Sequence, residues 1–358
     1  MVKMTDDDLD FLLRAKVTKK SDVVNLAKIL NRNPKDVRQT LNRIEKLRQQ
    51  KLLEESSRTG NIGYIIDIVK QHVKPLQYIK PREIFSRKYK NIRTTPESAV
   101  LLLSDLHIGK KTESYNFDVF KIRLKVLRYS IHQIISILTK TYKIDKLYIL
   151  MVGDIVEGES IYPAQSHYID KEIIEQIFEG TPYLSEFILD MLNIFPEVEV
   201  KCIPGNHGRI SKYTHKKNNF DTILYHTLES YLKNYKEIKF DVSENWWDVI
   251  KIKNHGFLLV HGGQIRGWLG IPFYGLIQSL MRWTGSLKEK FEYMLCGHFH
   301  VIASQDWNNK EILTNGTFVT DDDYALEVLK MASSPKQWFF GVHKDHGITW
   351  RYKVDLNI

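Results

Sequence analysis

A chain of 358 residues is long enough for about two domains. Its 43% hydrophobic and 27% charged residues exclude wholesale disorder, and two cysteines, Cys202 and Cys296, exclude a disulfide scaffold or a cysteine-rich zinc site and fit a reducing compartment. The 52 basic and 43 acidic residues are unevenly spread: residues 1–100 carry a net +10 and residues 101–358 a net −1. A basic module beside a near-neutral body points to a polyanionic partner, a solvated basic face being the alternative. The opening MVKMTDDDLDF has no apolar core of a signal peptide, and no apolar run approaches the ~20 residues of a membrane span. The chain is therefore expected to be soluble and cytoplasmic, with no membrane partner.

In chain order, Thr5 or Asp6 caps a first helix to about Lys16. Ser21 and Asp22 open a second, with Val24, Leu26, Ala27 and Leu30 at helical spacing. Asn33-Pro34 starts a third, running to about Gln50 over Val37, Leu41, Ile44 and Leu47. Strands are expected over 52–56 and 64–69, around a turn with Gly60 and Gly63. Three helices and a two-stranded ribbon resemble a winged helix-turn-helix module over residues 1–70. Nucleic-acid contacts would come from Lys35, Arg38, Arg43 and Lys46 on the third helix and Arg58 on the wing. Protein contact or dimerisation is the alternative use of such a module. Residues 71–98, with Pro75, Pro81, Pro96 and many basic residues, read as a semi-rigid basic linker.

From Ala99 onward apolar strands alternate with long helices. The run AVLLLS ends at Asp105-Leu106-His107, KLYILMV at Gly153-Asp154, and VEVKCIP at Gly205-Asn206-His207. Later, GFLLV ends at His261-Gly262-Gly263 and FEYMLC at Gly297-His298-Phe299-His300. Each strand delivers Asp, Asn or His at its C-terminal end, where open α/β sheets gather their sites. The tail from Thr314 reads as strands around a helix near 322–332, completing a second sheet.

Asp105, His107, Asp154, Asn206, His261, His298 and His300 are oxygen and imidazole donors without a thiolate. That mixture suits Mn²⁺, Fe²⁺ or Zn²⁺ better than an all-oxygen Mg²⁺ or Ca²⁺ cage. Seven donors exceed the needs of one tetrahedral ion and suit two ions with a shared carboxylate. Two such ions, ~3.5–4 Å apart, can hold both oxygens of a phosphoryl displacement and generate hydroxide from a bridging water.

DLH, GD, GNH, HGG and GHFH in this order resemble the calcineurin-like metallophosphoesterase superfamily, particularly its SbcD-like DNA-repair nuclease branch and related phage-encoded phosphoesterases. The resemblance implies an α/β fold, an αββα sandwich over residues 99–358, with a two-metal site at one edge. It implies that Asp105, His107 and His300 hold one metal, that Asn206, His261 and His298 hold the other, and that Asp154 bridges them. His207 would stand near the leaving group. Two positions depart from the pattern. Gly208, followed by Arg209, replaces a common acidic residue, and Glu157 replaces the Asp that orients the catalytic histidine. Glu157 either does the same work or is solvated, and Arg209 is a candidate phosphate clamp.

The loops after Asp154 and His261 add Tyr162, Gln165, Arg266, Trp268 and Tyr274 as candidate contacts for phosphate or unpaired bases. Lys121, Arg123, Lys125 and Arg128 lie on one helix as a steering or merely solvated set, and Trp246 and Trp247 read as core or domain-contact residues. The resulting expectation is a two-metal phosphodiesterase, a DNA nuclease with Mn²⁺ as the first choice of metal. The rivals are a small-molecule phosphatase or nucleotidase with a regulatory module, and a DNA-binding protein whose second domain is a scaffold.

Overall fold

The computed structural model describes residues 20–42, 62–81, 95–162, 165–211, 218–243, 245–266, 272–321 and 335–358. The chain divides into a unit ending at Gly60 and a unit from Asn61 to Ile358. In the first, helix α1 (Lys20–Ile29) and helix α2 over residues 34–42 bury Val23, Ala27 and Val37 together. The expected first helix, the strand over 52–56 and the wing with Arg58 lie outside the described residues, as do Arg43 and Lys46.

The second unit opens with a correction. Residues 64–69 were expected as a strand, yet they lie within a helix, α3 (Ile62–His72). Ile62, Ile66, Val69 and Val73 recur on one face and pack into the main core, and that 3.6-residue stripe overrides the β-branched composition. From residue 73 to 81 the chain has no helix or strand and is bonded to the domain. Leu76 N–H donates to Tyr231 O (2.8 Å), Asn234 Nδ2 to Leu76 O (2.7 Å) and Tyr235 Oη to Gln77 O (2.9 Å).

The first sheet has the order β11-β10-β1-β2-β3-β4. It comprises β1 (Glu97–Leu103), β2 (Ile144–Val152), β3 (Val198–Ile203) and β4 (Ile238–Val242), all parallel, with β10 (Lys336–His343) and β11 (Gly347–Asp355) antiparallel at one edge. The last two strands thus extend the first sheet, correcting the expectation that they complete the second: β10 pairs with β1 from Ser98↔Val342 to Leu102↔Trp338. The second sheet, β5-β6-β7-β9-β8, comprises β5 (Trp247–Ile252), β6 (His255–Val260), β7 (Tyr293–Cys296), β8 (Ala303–Trp307) and β9 (Lys310–Thr314).

Alternation along each strand sorts three apolar layers. Val100, Leu102, Leu150 and Val152 meet Phe257, Leu259 and Leu295 between the sheets. On the outer face of the first sheet, Ala99, Leu101, Ile149 and Met151 meet helices α4 (Phe117–Leu138), α5 (Ile173–Met191) and α6 (Phe220–Leu232). Leu258, Val260 and Met294 on the far face of the second sheet meet α7 (Phe273–Ser286). The result is an αββα sandwich, and the loops after β1, β2, β3, β6 and β7 carry every donor singled out from sequence.

Candidate metal centre

The strand-end loops hold their donors in an unusual backbone conformation. Asp105, His107, Asp154, His298 and His300 all have positive φ, between 47° and 70°. Such residues store roughly 1–3 kcal/mol each and persist where the surroundings over-determine them. Here the β1 and β2 loops are clipped together: Asp105 N–H donates to Gly153 O (3.1 Å), His107 N–H to Asp154 O (3.0 Å) and Ile108 N–H to Ile155 O (2.8 Å). His298 N–H donates to both carboxylate oxygens of Asp105 (2.9 and 3.1 Å). Gly205 is required for the close approach of the third loop, because a Cβ there would lie 2.1 Å from Asp154 Oδ1.

Three groups of donor atoms each converge within 4.8 Å: Asp105, His107 and His300; Asp154, His261 and His298; and, linking the two, His107, Asp154 and His207. His107 Nε2 lies 3.1 Å from His300 Nε2, and His300 Nε2 lies 3.5 Å from Asp105 Oδ1. The far side of each ring fixes what faces the cluster. His107 Nδ1 bonds Glu157 Oε2 (2.6 Å) and His261 Nδ1 bonds the Val152 carbonyl (2.8 Å), so in the neutral tautomer both Nε2 lone pairs point inward. Asn206 Nδ2 donates to Tyr162 Oη (2.7 Å), which turns Oδ1 toward the site. Asp154 Oδ1 is held by the His207 N–H (2.8 Å).

Asp154 Oδ2, Asn206 Oδ1 and His261 Nε2 remain buried without a hydrogen-bond partner. The Asp154 and His261 atoms are 2.9 Å apart but not aligned to bond. Buried polar atoms are otherwise almost always satisfied, and a divalent cation would satisfy these three together. The donor set therefore fits a metal.

Electrostatics agree. Burial opposes a proton on His261, but the charge of the adjacent Asp154 carboxylate outweighs it and the pKa rises to about 9. The site thus calls for a positive charge, which a proton provides when no cation does. Burial and the charge of His261 push His298 down to about 3, and burial also lowers His107 despite the Glu157 hydrogen bond, leaving both neutral as ligation requires. Burial works against ionised Asp154, yet His261 and His207 hold it well below the carboxylate range. Glu157 is likewise held well below that range, burial being outweighed by His207, Lys110 and the bond to His107.

Glu157 is buried rather than solvated, and the same Oε2 also lies 3.2 Å from His207 Nδ1. It therefore orients a candidate ligand and the candidate acid at once. Burial lowers the pKa of His207, but the charges of Glu157 and Asp154 raise it overall.

Asp221 was not foreseen. It is fully buried at the start of α6, and its carboxylate accepts four backbone N–H groups: Ile155 and Val156 on Oδ1 (both 3.0 Å), Asp154 (3.0 Å) and Gly205 (2.9 Å) on Oδ2. Burial and the nearby Asp154 charge raise its pKa to about 6 against those bonds. Asn219 joins it, donating to Gly205 O (2.8 Å) and accepting from Asp221 N–H (2.8 Å). This pair also accounts for Gly208, since a Cβ there would lie 2.3 Å from Asn219 Oδ1. Asn-Phe-Asp before a helix reads in sequence only as an N-cap.

Of the remaining candidates, Tyr162 and Arg209 stay beside the donors. Tyr162 is 38% exposed, its ring 4.8 Å from that of His207. Arg209 is half-buried, with Nε donating to Asn206 O (3.2 Å). Gln165, expected to bind substrate, is instead buried; its Oε1 accepts from Ile161 and Tyr162 N–H, and its Nε2 donates to Glu157 O (2.6 Å), so it braces the loop. Arg266 is exposed, and Trp268 lies outside the described residues. Lys35 and Arg38 are exposed on α2. Arg123 is buried and bonded to Phe318 O and Thr320, which removes it from any steering face.

The sequence profile of the calcineurin-like phosphoesterases matches residues 98–302. An uncharacterised SPbeta prophage-derived protein, YonJ of Bacillus subtilis, is 21% identical over 66% of this chain and 59% of its own length. The DNA polymerase II small subunit of Methanothermobacter thermautotrophicus is 26% identical over 52% of this chain and 38% of its own. The chain thus spans less than two thirds of the length of either relative. Among solved structures, Entamoeba histolytica Vps29 aligns over 72% of this chain and 99% of its own, at 16% identity and a TM-score of 0.35.

Proposed function

This chain belongs to the calcineurin-like phosphoesterase family of metal-dependent hydrolases, and from that premise we propose that it is a two-metal phosphodiesterase acting on nucleic acid, specifically a DNA nuclease. One observation carries the reading. Two donor triads that share no residue are joined through His107 and Asp154, and three of the inward-facing atoms are buried without a bonding partner. Asp105, His107 and His300 would hold one ion, His261, His298 and Asn206 the other, with Asp154 between them. Mn²⁺ is our first assignment, and Fe²⁺ or Zn²⁺ suit the same donors. Two bound ions would supply positive charge at the phosphate oxygens and lower the pKa of water.

The protein's own groups do the rest. Arg209, beside Asn206, would hold a non-bridging phosphate oxygen. His207, tethered through Nδ1 to Glu157, presents Nε2 to the leaving group. As water oxygen bonds to phosphorus and the ester bond breaks, Nε2 gives its proton to the departing oxygen. His207 then recovers a proton from solvent, into which the attacking water has released its own.

Nucleic acid is favoured over a small ester by the basic first 100 residues, by Lys35 and Arg38 exposed on α2, and by relatives named as DNA polymerase II small subunits. The unit ending at Gly60, which carries Lys35 and Arg38, would hold the polymer. Among the described residues, no helix is long and apolar enough to cross a membrane.

The test is incubation of the full chain with Mn²⁺ and labelled single- or double-stranded DNA, beside elemental analysis of bound metal. Two ions per chain and cleavage that weakens steeply with salt are expected. Hydrolysis of a small diester with no cleavage of DNA under any divalent ion would refute the nuclease and favour a small-molecule substrate.

A further inference from the structure

Beside the donor cluster lies a cleft of about 90 Å³, lined by Asn206, His261, Arg209, Trp246, Gly263 and Gln264 among others. Two of these, Asn206 and His261, belong to the candidate metal set, so an occupant of the cleft adjoins the phosphate centre. Gly263 leaves the boundary bare, since a Cβ there would lie 2.4 Å from Asn206 Oδ1. Trp246 is half-buried. It packs against the apolar layer under α7, its ring centroid 5.9 Å from that of Trp283, and it also forms part of the cleft wall. Core packing alone explains the first contact but not a place on the wall of a cleft that Arg209, Gln264 and two candidate metal donors also line.

We propose that this cleft is a subsite for the nucleoside arm adjoining the scissile phosphate. The base stacks on Trp246, the Gln264 amide meets its polar edge, and Arg209 holds the phosphate between base and metals. An aromatic plane with an adjoining cation is the common device for unpaired bases, because every base offers a π-face. An amide, being both donor and acceptor, serves any base edge. An alkyl arm would instead call for an enclosed apolar wall, which a cleft bounded by Arg209 and Gln264 lacks. The proposal rests on the phosphodiesterase reading above and assigns the residues that would hold the nucleoside.

The test compares kcat/KM of the metal-loaded full chain on thymidine 5′-(p-nitrophenyl phosphate) and methyl p-nitrophenyl phosphate, which share a leaving group. The wild type should favour the nucleoside ester by about 10- to 100-fold, the range expected of one stacked base. Trp246→Leu, which keeps apolar bulk without a π-face, should bring the ratio near one, while Trp246→Phe should keep most of it. Thymidine 5′-monophosphate should quench tryptophan fluorescence in the wild type, less so in Trp246→Leu, and inorganic phosphate should not. A wild-type ratio near one, or an unchanged ratio in Trp246→Leu, would overturn the subsite. Failure to hydrolyse either ester with any divalent ion would overturn the phosphodiesterase reading instead, and the fluorescence titration would still decide the subsite.

Discussion

Glu157 Oε2 lies 2.6 Å from His107 Nδ1, a short hydrogen bond that fixes which nitrogen of the ring faces the metal site. The same oxygen reaches His207. In Glu157→Gln a neutral amide replaces the carboxylate that serves both imidazoles, so each is held more weakly. Mn²⁺ affinity should fall ~10- to 100-fold, the usual effect of removing a ligand's hydrogen-bonded support, and turnover should fall further because the acid is also released. Calorimetric titration with Mn²⁺ checks it; an unchanged affinity would sever Glu157 from His107.

His207 should matter in proportion to the leaving group's need for a proton. His207→Ala should retain its metal content yet lose ~10²- to 10⁴-fold in rate on a dinucleotide, whose departing alkoxide must be protonated. On a p-nitrophenyl diester, whose leaving oxygen departs without a proton, the loss should be far smaller. Equal losses on both substrates would assign His207 to binding rather than to acid catalysis.

Much of this site is legible in the sequence because the strands of a two-sided sheet read as largely apolar runs, and Asp105, Asp154, Asn206, His261 and His298 each follow one within three residues. The helix over 62–72 was misread because Ile65, Ile66, Ile68 and Val69 favour strands locally, whereas only burial of Ile62 and Val69 in the core reveals the helical face. Joining β10 to β1 depends on a pairing more than 230 residues apart, for which local pattern holds no signal. Asp221 was invisible for a related reason: three of its four partners are backbone N–H groups 65 to 67 residues upstream, and backbone groups leave no mark in a sequence.

Metal binding should be opposed by acid through His261. Without a cation its pKa stands near 9, while ligation through Nε2 requires the neutral ring. Below about pH 9 each binding event must therefore displace a proton, and Mn²⁺ affinity should rise with pH, by up to ~tenfold per unit, and level off above pH 9. Titrations at pH 7.5 in buffers of different ionisation enthalpy should count about one proton released from this group. A pH-independent affinity between 6.5 and 8.5 would show that the ring is already neutral.

Asp221 should be the residue outside the strand-end motifs on which the centre depends most. In Asp221→Ala the N–H groups of Asp154, Ile155, Val156 and Gly205 are left in the interior together, and each unsatisfied group costs about 1–3 kcal/mol. Relaxation and water entry will recover part of that, so a loss of at least about 3 kcal/mol in urea unfolding is expected. Asp221→Asn separates stability from site geometry. Its carbonyl oxygen can still serve Ile155 and Val156, but its amide sets donors against the N–H groups of Asp154 and Gly205, in the loops that carry the Asp154 carboxylate and Asn206. The Asn variant should therefore fold with a smaller stability loss than the Ala variant yet bind Mn²⁺ about tenfold more weakly. Wild-type metal affinity in a folded Asn variant would mean that Asp221 supports the fold without aligning the donors.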